Sequence, residues 1–173
     1  MKQRIIFISG HIGSGKTVIG ELLQDKLINC ARVETDLLIL VKPFEIVPML
    51  LQLGIKNTIS VVSNFLEESY ENILIVGGVW NQDQLDQYMQ KFSTEKYDIR
   101  VFWLHADKEA RHTRALKRGD PGDNKEWLEK VEESLPYPTL PLKMSGGQFY
   151  QIDVEDKTPQ VILDIISLRL QNL

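Results

Sequence analysis

The chain has 173 residues, 43 % hydrophobic and 25 % charged, which suits one folded domain with a real core and excludes a disordered chain. Lysine and arginine number 20 against 24 aspartate and glutamate, and the resulting charge of -4 argues against non-specific nucleic-acid binding. Cys30 stands alone, so neither an internal disulfide nor a cysteine zinc site can form. No apolar run reaches about 18 residues and no signal-peptide layout opens the chain, so the expectation is a cytoplasmic protein with no membrane or nucleic-acid partner.

Arg4-Ile5-Ile6-Phe7-Ile8-Ser9 is a nearly continuous apolar run ending at glycine, which predicts a first strand buried on both faces of a parallel sheet. Val18, Ile19, Leu22, Leu23 and Leu27 then recur at helical spacing, with Glu21, Gln24 and Lys26 opposite them. Ala31 to Glu34 reads as a second strand. Leu37 to Leu53 is strongly apolar and interrupted by Pro43 and Pro48, which predicts two short helices, and Ile59, Val62 and Leu66 space out a further one. Asn72 to Val76 is a third buried strand, stopped by Gly77-Gly78, and Leu85, Tyr88, Met89 and Phe92 mark an amphipathic helix.

Ile99 to Leu104 gives the fourth strand. From Asp107, its expected N-cap, a charged helix runs to about Arg118, a loop covers 119–123, and a second polar helix covers about Lys125 to Ser134. The irregular stretch from Leu135 to Gly147 leads to a last strand at Phe149 to Asp153. Thr158-Pro159 opens a final helix with Val161, Ile162, Ile165, Ile166 and Leu170 on one face. This alternation predicts a single α/β domain over 1–173, a parallel sheet with helices on both faces.

Gly10-His11-Ile12-Gly13-Ser14-Gly15-Lys16-Thr17 satisfies G-x-x-x-x-G-K-[ST] between a buried strand and an amphipathic helix, where a phosphate-binding loop must lie. Its glycines let backbone N–H groups turn toward phosphate oxygens, and the helix beginning near Lys16, with Val18 in its first turn, offers its positive dipole end. Lys16 is expected to reach the β- and γ-phosphates of ATP, and Thr17 to supply a hydroxyl to Mg²⁺.

Here the chain resembles the small P-loop kinases, the superfamily of nucleoside monophosphate, shikimate and gluconate kinases and chloramphenicol phosphotransferase. Besides the loop at 10–17, Glu34-Thr35-Asp36 looks like the acid-x-acid motif of the shikimate kinase type, and Gly77-Gly78 is similar to its acceptor-binding turn. Arg111, Arg114 and Arg118 look like the arginine-bearing lid. The resemblance implies a three-layer P-loop NTPase fold with sheet order 2-3-1-4-5, an acceptor-binding region at about 37–72 and a lid at about 107–147. It implies an ATP-dependent kinase that uses Mg²⁺.

Asp36 is expected at the end of a strand beside the P-loop strand, taking the acceptor proton, although a helix N-cap would equally suit it. Glu34 could hold a water on Mg²⁺ or face solvent. Three of the seven arginines fall within 111–118 at spacings that share roughly one helical face. By resemblance the more N-terminal ones stack on adenine and Arg118 touches phosphate. No acid ends strand three, which disfavours motor-type ATPases.

Met144 to Gln148 looks like the signature loop of ABC transporter ATPases but is read as a turn. His105 and His112 show no metal-ligand spacing, and the three tryptophans are assigned to packing, with Trp80 close enough to the Gly77-Gly78 turn to line a pocket. No arginine lies between Arg32 and Arg100, the span that builds the acceptor pocket, and a guanidinium is the preferred clamp for phosphate or carboxylate. The expected acceptor is therefore a neutral or cationic, partly apolar alcohol. The rivals are a nucleoside or nucleoside monophosphate kinase and a nucleotide-binding regulatory module without an acceptor.

Overall fold

A computed structural model of the protein describes residues 2–119 and 124–171. The chain runs β1 (Arg4–Ser9), α1 (Lys16–Lys26), β2 (Cys30–Glu34), a 3₁₀ helix (Thr35–Ile39), α2 (Pro48–Glu67), β3 (Asn72–Val76) and α3 (Gln82–Lys91). It continues with β4 (Asp98–His105), α4 (Lys108–Arg118), α5 (Lys125–Ser134), β5 (Gln148–Asp153) and α6 (Pro159–Gln171). The expected loop at 119–123 lies, beyond Gly119, outside the described residues.

All five strands are parallel, in the order β2-β3-β1-β4-β5. β1 is central, and Ile5 is in register with Ile73 on one side and Ile99 on the other. Alternate residues of β1 feed two cores. Ile5 and Phe7 pack toward α2, α3 and the 137–144 segment, while Ile6 and Ile8 pack toward α1 and α6. Both faces of the sheet are covered, which is why its middle strands read as unbroken apolar runs instead of alternating ones.

Three local expectations are corrected. The apolar stretch after β2 is one 3₁₀ turn, a connection through residue 47, and then a single helix of 20 residues. Pro48 occupies the first helical position, where its missing N–H costs nothing, so it starts that helix and breaks none. Asp107 does hold the N-cap position of α4, but its side chain makes no capping bond.

The third correction bears on the site. β2 is an edge strand and does not adjoin β1, because β3 lies between them. The chain must therefore cross the end of β3 for Asp36 to approach the phosphate loop. No helix among the described residues is long and apolar enough to cross a membrane.

Candidate active site

The loop between β1 and α1 is pinned from below by α4. Gly13 has φ +78, and a Cβ there would come within 2.1 Å of the Arg111 carbonyl oxygen, so neither its conformation nor its surroundings admit another residue. α1 begins at Lys16, leaving its first N–H groups, including those of Thr17 and Val18, without intrahelical partners. Lys16 Nζ donates to the His11 carbonyl at 3.2 Å and stands 5.5 Å from the Trp80 ring centroid. Burial lowers the pKa of its amine, while Asp36 works against that shift. Ser14 Oγ is buried and has no hydrogen-bond partner among the described residues.

His11 is wholly enclosed. Its ring lies 4.8 Å from that of Tyr137, 5.6 Å from Trp80 and 6.2 Å from Trp103, centroid to centroid. Burial pushes its pKa down to about 4, against the pull of Glu132, so the imidazole is neutral at pH 7.

The crossing over β3 explains the Gly77-Gly78 turn. Thr35 Oγ1 donates to the Val76 carbonyl at 3.1 Å, and a Cβ on Gly77, whose φ is +89, would lie 2.4 Å from that hydroxyl. With no side chain at the end of β3, the 3₁₀ helix passes over it and carries Asp36, exposed, into electrostatic reach of Lys16. Glu34 stays behind in an ion pair with Arg32, Oε1 to Nε 3.4 Å. Burial raises its pKa, and beyond that ion pair Oε1 has no hydrogen-bond partner among the described residues.

The three arginines of α4 lie on roughly one helical face but have different surroundings. Arg111 is buried: its Nε donates to the Ala106 carbonyl at 3.0 Å, and Nη1 donates to the Ile12 carbonyl at 3.3 Å and to Glu132 Oε1 at 2.6 Å. It braces the phosphate loop, its guanidinium held between the Ile12 carbonyl and Glu132. Arg114 Nη2 donates to the Val154 carbonyl at 3.0 Å and also to that of Glu155, on the loop after β5. Arg118 is exposed, and its charge is among those depressing Lys16.

Beside the loop lies a cavity of about 160 Å³. α2 contributes Leu50 and Ile55, α5 contributes Trp127, the phosphate loop Ile12, and the exit of β3 Gly78 and Trp80, with Asp36 on the same wall. Phe44, in the connection before α2, meets the Trp127 ring edge-on at 6.0 Å and lines the cavity beside it. Among the described residues no lysine or arginine lines it.

Trp80 therefore lines a pocket as expected, and Trp127, assigned to packing, does so too. The roles of Trp127, Glu132 and Tyr137 escaped sequence reasoning. Trp127 is the one aromatic residue of α5, which is a signal, whereas Tyr137 lies in a proline-rich stretch without periodicity. Among the described residues no group of three or more His, Cys, Asp or Glu could hold a metal ion.

A glycine-rich loop after the central strand of a parallel 2-3-1-4-5 sheet defines the P-loop kinase fold. The chain belongs to the AAA domain family AAA_18, whose model matches residues 6–135. Among solved structures it is similar to a sugar kinase from Janibacter sp. HTCC2649, with TM-score 0.75, 13 % identity, and 97 % of this chain and 94 % of that one covered. It is also similar to a gluconokinase from Sinorhizobium meliloti 1021, with TM-score 0.67, 13 % identity and 98 % of both chains covered. A third is the Deinococcus radiodurans tunicamycin resistance protein, with TM-score 0.60, 18 % identity, and 98 % and 96 % covered. At these identities the likeness is one of fold. No curated protein matches the chain in sequence.

Proposed function

We propose that the protein is an ATP-dependent kinase that phosphorylates a hydroxyl of a small, partly apolar acceptor carrying no anionic group. The observation that carries this reading is the adjacency of a phosphate loop, a carboxylate and an apolar cavity without a cationic side chain among the described residues. Clamping a phosphate or carboxylate in that cavity would require a guanidinium or ammonium, and its wall offers neither. A regulatory module would need no acceptor cavity at all.

In this reading Lys16 leaves the His11 carbonyl for the β- and γ-phosphates, and the N-terminus of α1 holds their oxygens. Asp36 accepts the proton of the acceptor hydroxyl as its oxygen bonds to the γ-phosphorus. The bond from that phosphorus to the β,γ-bridging oxygen breaks, and its electron pair leaves with ADP. Arg118, whose charge already acts on Lys16, is the lid cation for this charge, and Arg114 would have to leave the Val154 and Glu155 carbonyls to join it, with Gly77-Gly78 framing the acceptor side.

The donors available to Mg²⁺ are hard oxygens, the Thr17 hydroxyl and the carboxylate of Glu34, whose Oε1 is ion-paired with Arg32 but accepts no hydrogen bond from the described residues, and they fit an ion held mainly by phosphates and water. When bound, Mg²⁺ neutralises charge on the β- and γ-phosphates. The cytoplasm, which supplies ATP, is the setting this reading implies.

The test is release of ADP from Mg·ATP across a panel of nucleosides, nucleotides, sugars, hydroxy acids and apolar alcohols. Acceptor-dependent release lost in both Lys16→Ala and Asp36→Ala supports the kinase. Efficient turnover of nucleoside monophosphates would overturn the uncharged or cationic acceptor, and Mg·ATP binding with no stimulation by any acceptor would favour the regulatory module.

A further inference from the structure

We propose that the cavity beside the phosphate loop takes an uncharged alcohol with a compact apolar body, about the size of a benzene ring, its hydroxyl presented to Asp36. This rests on reading the cavity as the acceptor site, and it narrows the acceptor from uncharged or cationic to uncharged.

The wall is hydrocarbon and aromatic except at a few polar groups, and two of these already have partners. Thr35 Oγ1 donates to the Val76 carbonyl at 3.1 Å, and Gln84 Oε1 accepts from the Trp80 backbone N–H at 2.7 Å. The buried Tyr88 hydroxyl, also on the wall, accepts and donates no hydrogen bond among the described residues and could pair with one ligand hydroxyl. A sugar, with a hydroxyl on nearly every carbon, would still bury several of them unpaired. A cation is disfavoured differently. The carboxylate of the wall, Asp36, is needed by the reacting hydroxyl, and the face of Trp80, the natural partner of an ammonium group, already has Lys16 Nζ 5.5 Å from its centroid. Until the nucleotide draws Lys16 to its phosphates, a cationic acceptor would meet like charge where it needed attraction.

Size points the same way. The cavity holds about 160 Å³, and apolar protein cavities of roughly 150 Å³ stay dry and bind benzene. Gly54 supplies an independent observation. It sits within the 20-residue helix α2, on the cavity side, where glycine weakens a helix relative to alanine. Its φ is not in the left-handed region, and a Cβ there would approach only Ile39 Cγ2, at 3.2 Å. Neither backbone conformation nor a backbone neighbour demands the glycine, and what its missing side chain leaves is room in the cavity.

The experiment titrates the Mg·ATP-loaded protein with benzyl alcohol, cyclohexylmethanol, choline and glucose. Binding is followed by tryptophan fluorescence, since Trp80 and Trp127 line the cavity, and transfer by ³¹P NMR of the products. The two apolar alcohols are expected to bind saturably and to be phosphorylated, and choline and glucose to do neither. Gly54→Leu, which fills the cavity, should weaken benzyl alcohol binding by about tenfold or more, roughly 1.4 kcal/mol, with Mg·ATP binding retained. Gly54→Ala is the milder variant, expected to weaken it less, and it carries the test if Gly54→Leu does not fold.

Phosphorylation of choline or glucose with benzyl alcohol ignored would overturn the uncharged apolar class and leave the kinase standing. Apolar alcohols that bind and are displaced by the Gly54 substitutions, with no transfer to any acceptor, would overturn the kinase and leave the cavity assignment standing. Undiminished benzyl alcohol binding in both Gly54 variants would place the ligand elsewhere and overturn the proposal.

Discussion

At the scale of single residues, the phosphate loop contains an imidazole that must stay neutral. His11 titrates near 6.5 when unfolded and at about 4 when folded, because burial among Trp80, Trp103 and Tyr137 penalises its cation. Between those values the unfolded chain binds more protons, so stability is full above pH 6.5 and falls as pH drops toward 4, by up to roughly 3 kcal/mol. Glu132, whose pKa is held below its usual range by Arg111 despite burial, adds stability that begins to be lost as pH falls below about 4.5. Urea denaturation between pH 4 and 7.5 should show His11→Gln with a flatter pH dependence than the wild type, and parallel curves would mean the imidazole is not held neutral. Asp36 gives a second expectation at this scale. Asp36→Asn should lower kcat by about 10²–10⁴ with little change in ATP affinity, the usual loss when a general base is removed. A large rise in the ATP Kd instead would make Asp36 a nucleotide ligand.

At the scale of elements, the joint between α4, α5 and the phosphate loop is the Arg111–Glu132 pair. Arg111 is bonded to the Ile12 carbonyl and Glu132 at once, and Ile12 lines the same cavity as Trp127 of α5. Glu132→Ala strands a buried guanidinium and should cost about 3–5 kcal/mol in denaturant unfolding, whereas Lys108→Ala, removing an exposed pair with Glu129, should cost less than about 1 kcal/mol. Equal costs would mean that the joint is no more than a surface contact. This joint also marks the boundary of what the sequence makes legible. The strands and the loop at 10–17 could be read because burial on both faces and a fixed glycine spacing are local signals, whereas the sheet order follows only from the resemblance to the small P-loop kinases. The role of Arg111 could not, because a helical spacing of three and four places three arginines together without saying which one a neighbouring carboxylate, 21 residues away in the chain, will claim. For the same reason Pro48 read as a breaker: only the finished helix shows that it stands at the first position. The Gly77-Gly78 turn was visible as a turn, but its purpose, letting Thr35 cross the end of β3, depends on a contact between positions 41 apart.

At the scale of the whole molecule, both cores share the same strands, so α2 on one face and α6 on the other cannot loosen independently of β1 and β3. A ligand bound at the edge of such a sheet should therefore stabilise the entire chain and not one part of it. Mg·ATP at about a hundred times its Kd contributes about 2.7 kcal/mol. For a chain of this size each kcal/mol raises Tm by about 2–4 °C, so saturating Mg·ATP should shift a single unfolding transition by roughly 5–10 °C. Lys16→Ala should abolish that shift while leaving the Tm of the free protein nearly unchanged or slightly raised, because the variant no longer buries an ammonium group whose pKa burial depresses. Differential scanning calorimetry with and without Mg·ATP makes the comparison. A shift that survives in Lys16→Ala would put the nucleotide somewhere other than the loop at 10–17, and two separate transitions would mean that the faces of the sheet unfold as independent units.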